Sequence, residues 1–196
     1  MKNRIRALLI QQREDVQREL SDVKNIFSEK GREILKGLSL ARHDKALLQS
    51  LLKTYKHVMV RISESDSLVR KLYGKLRMAW LISTVPGFGM FFSVLVATEI
   101  ADIRRFSTVG RLYNYAGVIP SSFSSGQRSY HGKIIKDGNQ WLRWAVVEAV
   151  WPAIRADFDL RLHYERFKKK KTGNVAKVAT ARRLLAIIYQ MLKEDR

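Results

Sequence analysis

The residues best suited to chemistry lie between 121 and 143. Ser121-Ser122-Phe123-Ser124-Ser125-Gly126-Gln127-Arg128 is followed by Gly132-Lys133-Ile134-Ile135-Lys136-Asp137-Gly138-Asn139. The stretch combines hydroxyls, glycines that free the backbone, and cations at Arg128, Lys133 and Lys136, with Arg143 just beyond. A phosphodiester site needs these parts: a nucleophile, and donors for the charge that develops on the phosphate. The same composition equally suits a passive loop that only contacts phosphates. A long irregular loop inside a compact domain is more often functional than idle.

Other chemistries are excluded by what the chain lacks. It has no cysteine, so disulfides, thiolate zinc sites, iron–sulfur clusters and thiol catalysis drop out. His43, His57, His131 and His163 show no metal-ligand spacing. No phosphate-loop or dinucleotide fingerprint is present. The 18 acidic residues are scattered, and none cluster as two-metal catalysis requires. No metal site and no cofactor are therefore assigned to this chain.

Charge points to the partner. The 196 residues carry 37 Lys+Arg against 18 Asp+Glu, a net +19. Residues 1–80 hold 18 basic and 9 acidic side chains and residues 81–196 hold 19 and 9, so both halves are basic. The surplus is densest over 104–143 and over 166–183, where Lys168-Lys169-Lys170-Lys171 falls. Such a field attracts polyanions. Because the cations are spread along the chain, nucleic acid fits better than a membrane surface. The uncharged run 78–98 is interrupted by Ser83, Thr84, Pro86, Gly87 and Gly89 and is not read as a membrane span.

Several elements must position these groups. Leu20, Phe27, Ile34, Ala41, Leu48, Tyr55, Ile62, Val69 and Leu76 recur every seven residues, and Leu51, Val58 and Leu72 add part of a second row. This period predicts helices at about 5–28, 32–38 and 44–83. They read equally as an intramolecular bundle or as a dimerisation arm. At Leu81 to Gly89 the pattern changes to helix, Pro-Gly-apolar-Gly, helix, which predicts a helix-hairpin-helix. There Gly87 and Gly89 permit a tight turn, and the amides opening the second helix can hold a phosphate. Ser107 is expected to cap a helix over 108–115. A helix over 139–154 is apolar around most of its circumference, so its three Trp are expected in the core and Pro152 is expected to kink or end it. Helices over 158–167 and 175–193 follow. The fold class is mainly α: an extended, coiled-coil-like arm over 1–80, then a compact helical domain over 81–196 that contains the hairpin.

The ordered set Val85-Pro86-Gly87-Phe88-Gly89, Glu99-Ile100-Ala101-Asp102-Ile103, Arg105-Phe106, Tyr115-Ala116-Gly117, Pro120, Ser125-Gly126, Gly132, Lys136, Gly138-Asn139 and Leu142-Arg143 resembles one known family. It is the insertion-sequence transposases of the one-sixteen, one-ten, nine-oh-two type, the bridge-RNA-guided recombinases. The resemblance covers about 81–192. It implies a C-terminal transposase domain whose serine precedes the glycine, here Ser125 with Ser124 as the alternative, and which attacks a DNA phosphodiester. It implies DNA as partner, with a structured guide RNA as a second one, and a cytoplasmic, nucleoid-associated location. Gly87, Gly89, Arg128, Lys133, Lys136, Arg143 and Lys168 to Lys171 are expected to contact nucleic acid on grounds of charge and position. The arm is expected to form a homo-oligomer. The family resembles a longer chain with an RNase H-like domain whose acids bind Mg²⁺. This sequence begins about where that domain would end, so a truncated, decayed or separately encoded half, inactive by itself, is expected.

Overall fold

The computed structural model describes residues 1–21, 23, 25–125, 128–134 and 137–195, with the backbone alone over 120–125 and 128–134. Within them the protein is mainly α, as the periodicity requires, and it divides into two units, Met1–Ser67 and Leu68–Arg196.

The first unit opens with α1 (Lys2–Ile10), α2 (Glu14–Ser21) and α3 (Glu29–Gly37). The single helix expected over 5–28 is thus two short ones, parted at residues 11–13. Ser28 caps α3 by accepting from the Gly31 amide at 3.1 Å. α4 (Arg42–Lys75) follows, and the division between the units falls inside it rather than at 80. Its early turns supply Leu48 and Tyr55 to a core with Ile5, Leu8, Leu9, Val16, Phe27, Leu35 and Leu38. Its last turn sets Val69 and Tyr73 against the second core. Between these, Val58 and Ile62 of the heptad rows stand 41% and 46% exposed.

The second unit continues with α5 (Arg77–Ser83), α6 (Met90–Ile100), a 3-10 turn (Ile103–Arg105), α7 (Val109–Ala116), α8 (Gln140–Glu148), α9 (Val150–Ala156), α10 (Phe158–Lys170) and α11 (Gly173–Glu194). The helix expected to run on to 83 stops at Lys75, because Leu76 is extended (φ −102°, ψ 101°) and starts α5. α7 is capped by Thr108 rather than Ser107. The core is built on α6, α8 and α11 around Val96, Ile100, Leu112, Leu142, Val146, Leu184, Leu185 and Ile188. α8 buries Leu142, Ala145, Val146 and Ala149, which is one face at helical spacing. The other face carries Trp141 and Trp144. With Trp151 of α9 they are 53%, 44% and 45% exposed, so the expectation of core tryptophans is overturned. The reason is spacing: small Ala residues let neighbouring helices approach α8 closely, and indoles are left at the rim. The helix expected over 139–154 is interrupted at Ala149, between α8 and α9, and Pro152, in the first turn of α9, has no N–H to offer the Glu148 carbonyl.

The stretch expected as an irregular loop is instead an antiparallel ribbon, β1 (Pro120–Ser125) and β2 (Arg128–Ile134). Its serine runs lack the apolar–polar alternation that marks a strand.

The α5–α6 connection explains its glycine. Gly87 has φ 95°, and a Cβ there would collide with the carbonyl oxygen of Ala149, where α8 meets α9. Gly87 therefore serves close helix packing. Gly89 meets nothing within 4 Å and is the N-cap of α6. We expect Gly87→Ala to lower stability by at least about 1–3 kcal/mol, while Gly89→Ala, at an N-cap with open space for a methyl group, costs at most about 1 kcal/mol. Urea unfolding followed by circular dichroism tests both.

Candidate nucleic-acid interface

The ribbon is held at its two feet. Below β1, α7 ends in a left-handed Gly117 (φ 65°), with the Gly117 amide donating to Asn114 at 3.0 Å and the Val118 amide to Tyr113 at 3.1 Å. This pair of bonds satisfies the last carbonyls of the helix, and only glycine adopts that backbone without strain. Below β2, Gly138 lies so close that a Cβ on it would collide with the Gly117 backbone. The next residue, Asn139, locks the approach. Its amide donates to the Tyr115 carbonyl at 2.6 Å. Its side-chain oxygen caps α8 by accepting from the Leu142 amide at 2.8 Å. Its Nδ2 donates to Glu99 at 2.6 Å and lies 3.1 Å from the Tyr115 hydroxyl. That hydroxyl in turn donates to the Glu99 carbonyl at 3.3 Å. The Arg105 guanidinium covers the rings of Phe106 and Tyr115 at 5.0 and 4.8 Å.

Along the ribbon Ser125 pairs with Arg128, Ser124 with Ser129, and Phe123 with Tyr130. The backbone thus brings the expected nucleophile and the expected cation Arg128 together as cross-strand partners. The side chains of Ser124, Ser125, Arg128 and Lys133, and all of Gly126 and Lys136, lie outside the described residues. Arg143 is half-buried on α8, its amide bonded to the Asn139 carbonyl at 3.1 Å. Lys168, Lys169 and Lys170 form the last turn of α10, where the helix dipole favours cations whatever they bind. Lys168 lies 4.0 Å from Glu165, and Lys171 is exposed at the C-cap.

A second basic feature was not legible from the sequence. Ala179, Arg182, Arg183 and Ala186 on α11, His163 and Phe167 on α10, and Tyr113 on α7 line a cavity of about 270 Å³. Arg182 stacks on Tyr113 at 5.0 Å, and the His163 and Phe167 rings lie 5.0 Å apart. Burial holds the His163 imidazole below its usual pKa, with Arg183 and Arg166 adding to the effect. Among the described residues no group of three or more His, Asp or Glu converges as a metal would need. The residues present thus do not fit the Mg²⁺ centre that the resemblance implies for a preceding domain.

Residues 79–165 match the model of the transposase IS116/IS110/IS902 family. That segment runs from α5 to α10 and is similar to the transposase domain of this family. Three relatives extend the likeness. The insertion element IS110 uncharacterized 43.6 kDa protein of Streptomyces coelicolor is 28% identical over 116 residues, 58% of this chain and 28% of its own length. The insertion element IS900 uncharacterized 42 kDa protein of Mycobacterium paratuberculosis is 28% identical over 135 residues, 68% of this chain and 34% of its own. The insertion element IS116 uncharacterized 44.8 kDa protein of Streptomyces clavuligerus is 26% identical over 139 residues, 69% and 34%. The chain spans about a third of the length of these relatives. The matched segment contains the α5–α6 connection, the ribbon and the Asn139 lock, and no described helix is long and apolar enough to cross a membrane.

Two outcomes follow. Asn139→Ala removes the α8 cap and the partner of Glu99, and should cost about 1–3 kcal/mol in denaturant unfolding. Asn139→Asp, which keeps the cap but faces Glu99 with a second carboxylate, should recover only part. For His163 the folded pKa lies below the unfolded value of about 6.5, so the unfolded chain binds the extra proton first. The stability it contributes is complete above about pH 6.5 and is lost as pH falls toward the folded pKa. Between pH ~7.5 and ~5.5 the melting temperature of the wild type should drop more than that of His163→Gln.

Proposed function

We propose that the chain takes part in DNA transposition, with the Ser125 hydroxyl as nucleophile and Ser124 as the alternative. The serine oxygen forms a bond to phosphorus and one DNA hydroxyl leaves, taking up a proton as the serine gives its own to solvent. Attack by a new DNA hydroxyl on the phosphoserine then restores the serine and joins the strands. Arg128, Lys133, Lys136 and Arg143 hold the phosphate and stabilise its transition-state charge. Gly89 at the start of α6 and Lys168 to Lys171 contact the DNA backbone.

The observation that carries this reading is the family match together with the register that sets Ser125 opposite Arg128, on a ribbon whose feet are clamped by Gly117, Gly138 and Asn139. A reaction needs its nucleophile and cations held on a rigid base. The acidic Mg²⁺ centre is supplied from outside the described residues, and a structured guide RNA selects the target. The exposed Val58 and Ile62 of α4 continue the heptad rows, which supports a homo-oligomer formed through that helix with a second copy. DNA as substrate places the protein in the cytoplasm, at the nucleoid.

In a strand-transfer reaction reconstituted with an acidic RNase H-like domain, guide RNA and element DNA, a covalent protein–DNA adduct should accumulate on a denaturing gel. Ser125→Ala should abolish adduct and product and leave DNA affinity intact. Loss in Ser124→Ala alone moves the nucleophile by one residue. No adduct with either serine present, together with salt-sensitive DNA binding, would leave a non-catalytic DNA- or RNA-binding module.

A further inference from the structure

The cavity between α7, α10 and α11 lies outside the reading above, and its lining is chemically selective. Ala179, Arg182, Arg183 and Ala186 fall at i, i+3, i+4 and i+7 on α11, so they share one face. The two alanines make a low floor. His163 and Phe167, one turn apart on α10, make an aromatic wall, and Tyr113 makes the wall opposite. The Arg182 guanidinium lies over the Tyr113 ring, 5.0 Å from its centre, while Arg183 stands exposed. Among the described residues no carboxylate lines this cavity and no ion pair involves Arg166, Arg182 or Arg183, while Asp157 and Asp159 line the adjoining cavity with Arg166, Arg183 and His163. Lys170 continues the cationic row one turn past Phe167.

We infer that this cavity binds one unstacked nucleotide of single-stranded DNA, with the base against Phe167 and His163 over the alanine floor and its phosphate on Arg182 and Arg183. The argument rests on complementarity. An aromatic wall holds a base only if the base face is free, which a duplex interior denies and a single strand offers. Guanidinium groups outside any ion pair, as Arg182 and Arg183 are among the described residues, are matched by phosphate oxygens. The volume, about 270 Å³, lies just under the range of roughly 300–1,000 Å³ for ligand pockets, which suits a single nucleotide. An acidic peptide would satisfy the arginines but leave the ring wall unused. The choice of DNA over RNA rests on the transposition reading; the cavity chemistry does not. Strand separation during exchange would supply the single strand.

The test uses the full chain and fluorescence anisotropy with labelled oligothymidylate, a duplex of matched length, and oligouridylate. Phe167 is 40% exposed and Arg183 is exposed, so variants there should fold, as helicity and melting temperature will verify. Phe167→Ala should weaken oligothymidylate binding by about five-fold or more, the loss of one stacked base, with the salt slope unchanged. Arg183→Gln should instead flatten that slope by about 0.7, one phosphate contact. Ala179→Met, which fills the cavity without touching charge, should reproduce the Phe167→Ala loss. Duplex affinity should stay at the wild-type value in all three. The proposal is overturned if Phe167→Ala and Ala179→Met bind oligothymidylate like wild type. It is also overturned if single-strand and duplex affinity fall in proportion, which is the behaviour of a general basic surface. Oligouridylate depending on Phe167 more strongly than oligothymidylate does would overturn the assignment to DNA. None of these readouts involves the serine adduct, so the two readings fail separately.

Discussion

Two glycine backbones in contact set the geometry of the second unit. Gly117 ends α7 in a left-handed turn, and Gly138 approaches it with no room for a side chain. Everything between them, the whole β1–β2 ribbon, is therefore closed at its base within a few ångströms. Asn139 makes that closure directional. One side chain caps α8 and ties it to Glu99 and Tyr115, so the end of α6, the end of α7 and the start of α8 meet at a single amide. Such a node is polar yet satisfied, and it specifies one arrangement where apolar packing alone would tolerate several.

This node explains why a sequence motif can look scattered. Glu99, Tyr115, Gly117, Gly138 and Asn139 are spread over some forty residues but act at one place. Their types could be read in the chain, and their order suggested the family. Their roles could not be read, because a hydrogen bond between residues 99 and 139 leaves no local period. Gly87 is similar. A glycine after proline announces a turn, but its contact with Ala149 is a fact about helix packing. The hairpin reading looks outward to a ligand and does not foresee this close approach to the helix behind it.

The helices were legible in proportion to how far local rules governed them. α6, α7, α10 and α11 lie close to the spans expected from capping and periodicity. The ribbon was missed because serine-rich strands lack a two-residue apolar alternation. The tryptophans lie at the rim although their helix is apolar around most of its circumference. In α8 the residues that permit close approach are Ala145 and Ala149, and the large rings are displaced to the edge. The Arg182–Arg183 cavity joins two consecutive helices, α10 and α11, to Tyr113 of α7, some fifty to seventy residues earlier in the chain, and only the small–cationic–cationic–small face of α11 hints at it.

The distribution of indoles has a spectroscopic consequence. Trp80, Trp141, Trp144 and Trp151 all belong to Leu68–Arg196, and none lies in Met1–Ser67. Intrinsic emission excited at the red edge of the absorption band therefore watches the second unit alone, while far-ultraviolet ellipticity sums over both. Because Phe91 and Phe92 pack edge-on to Trp144 at 6.2 and 5.1 Å, that indole is an optical sensor of the seam between α6 and α8.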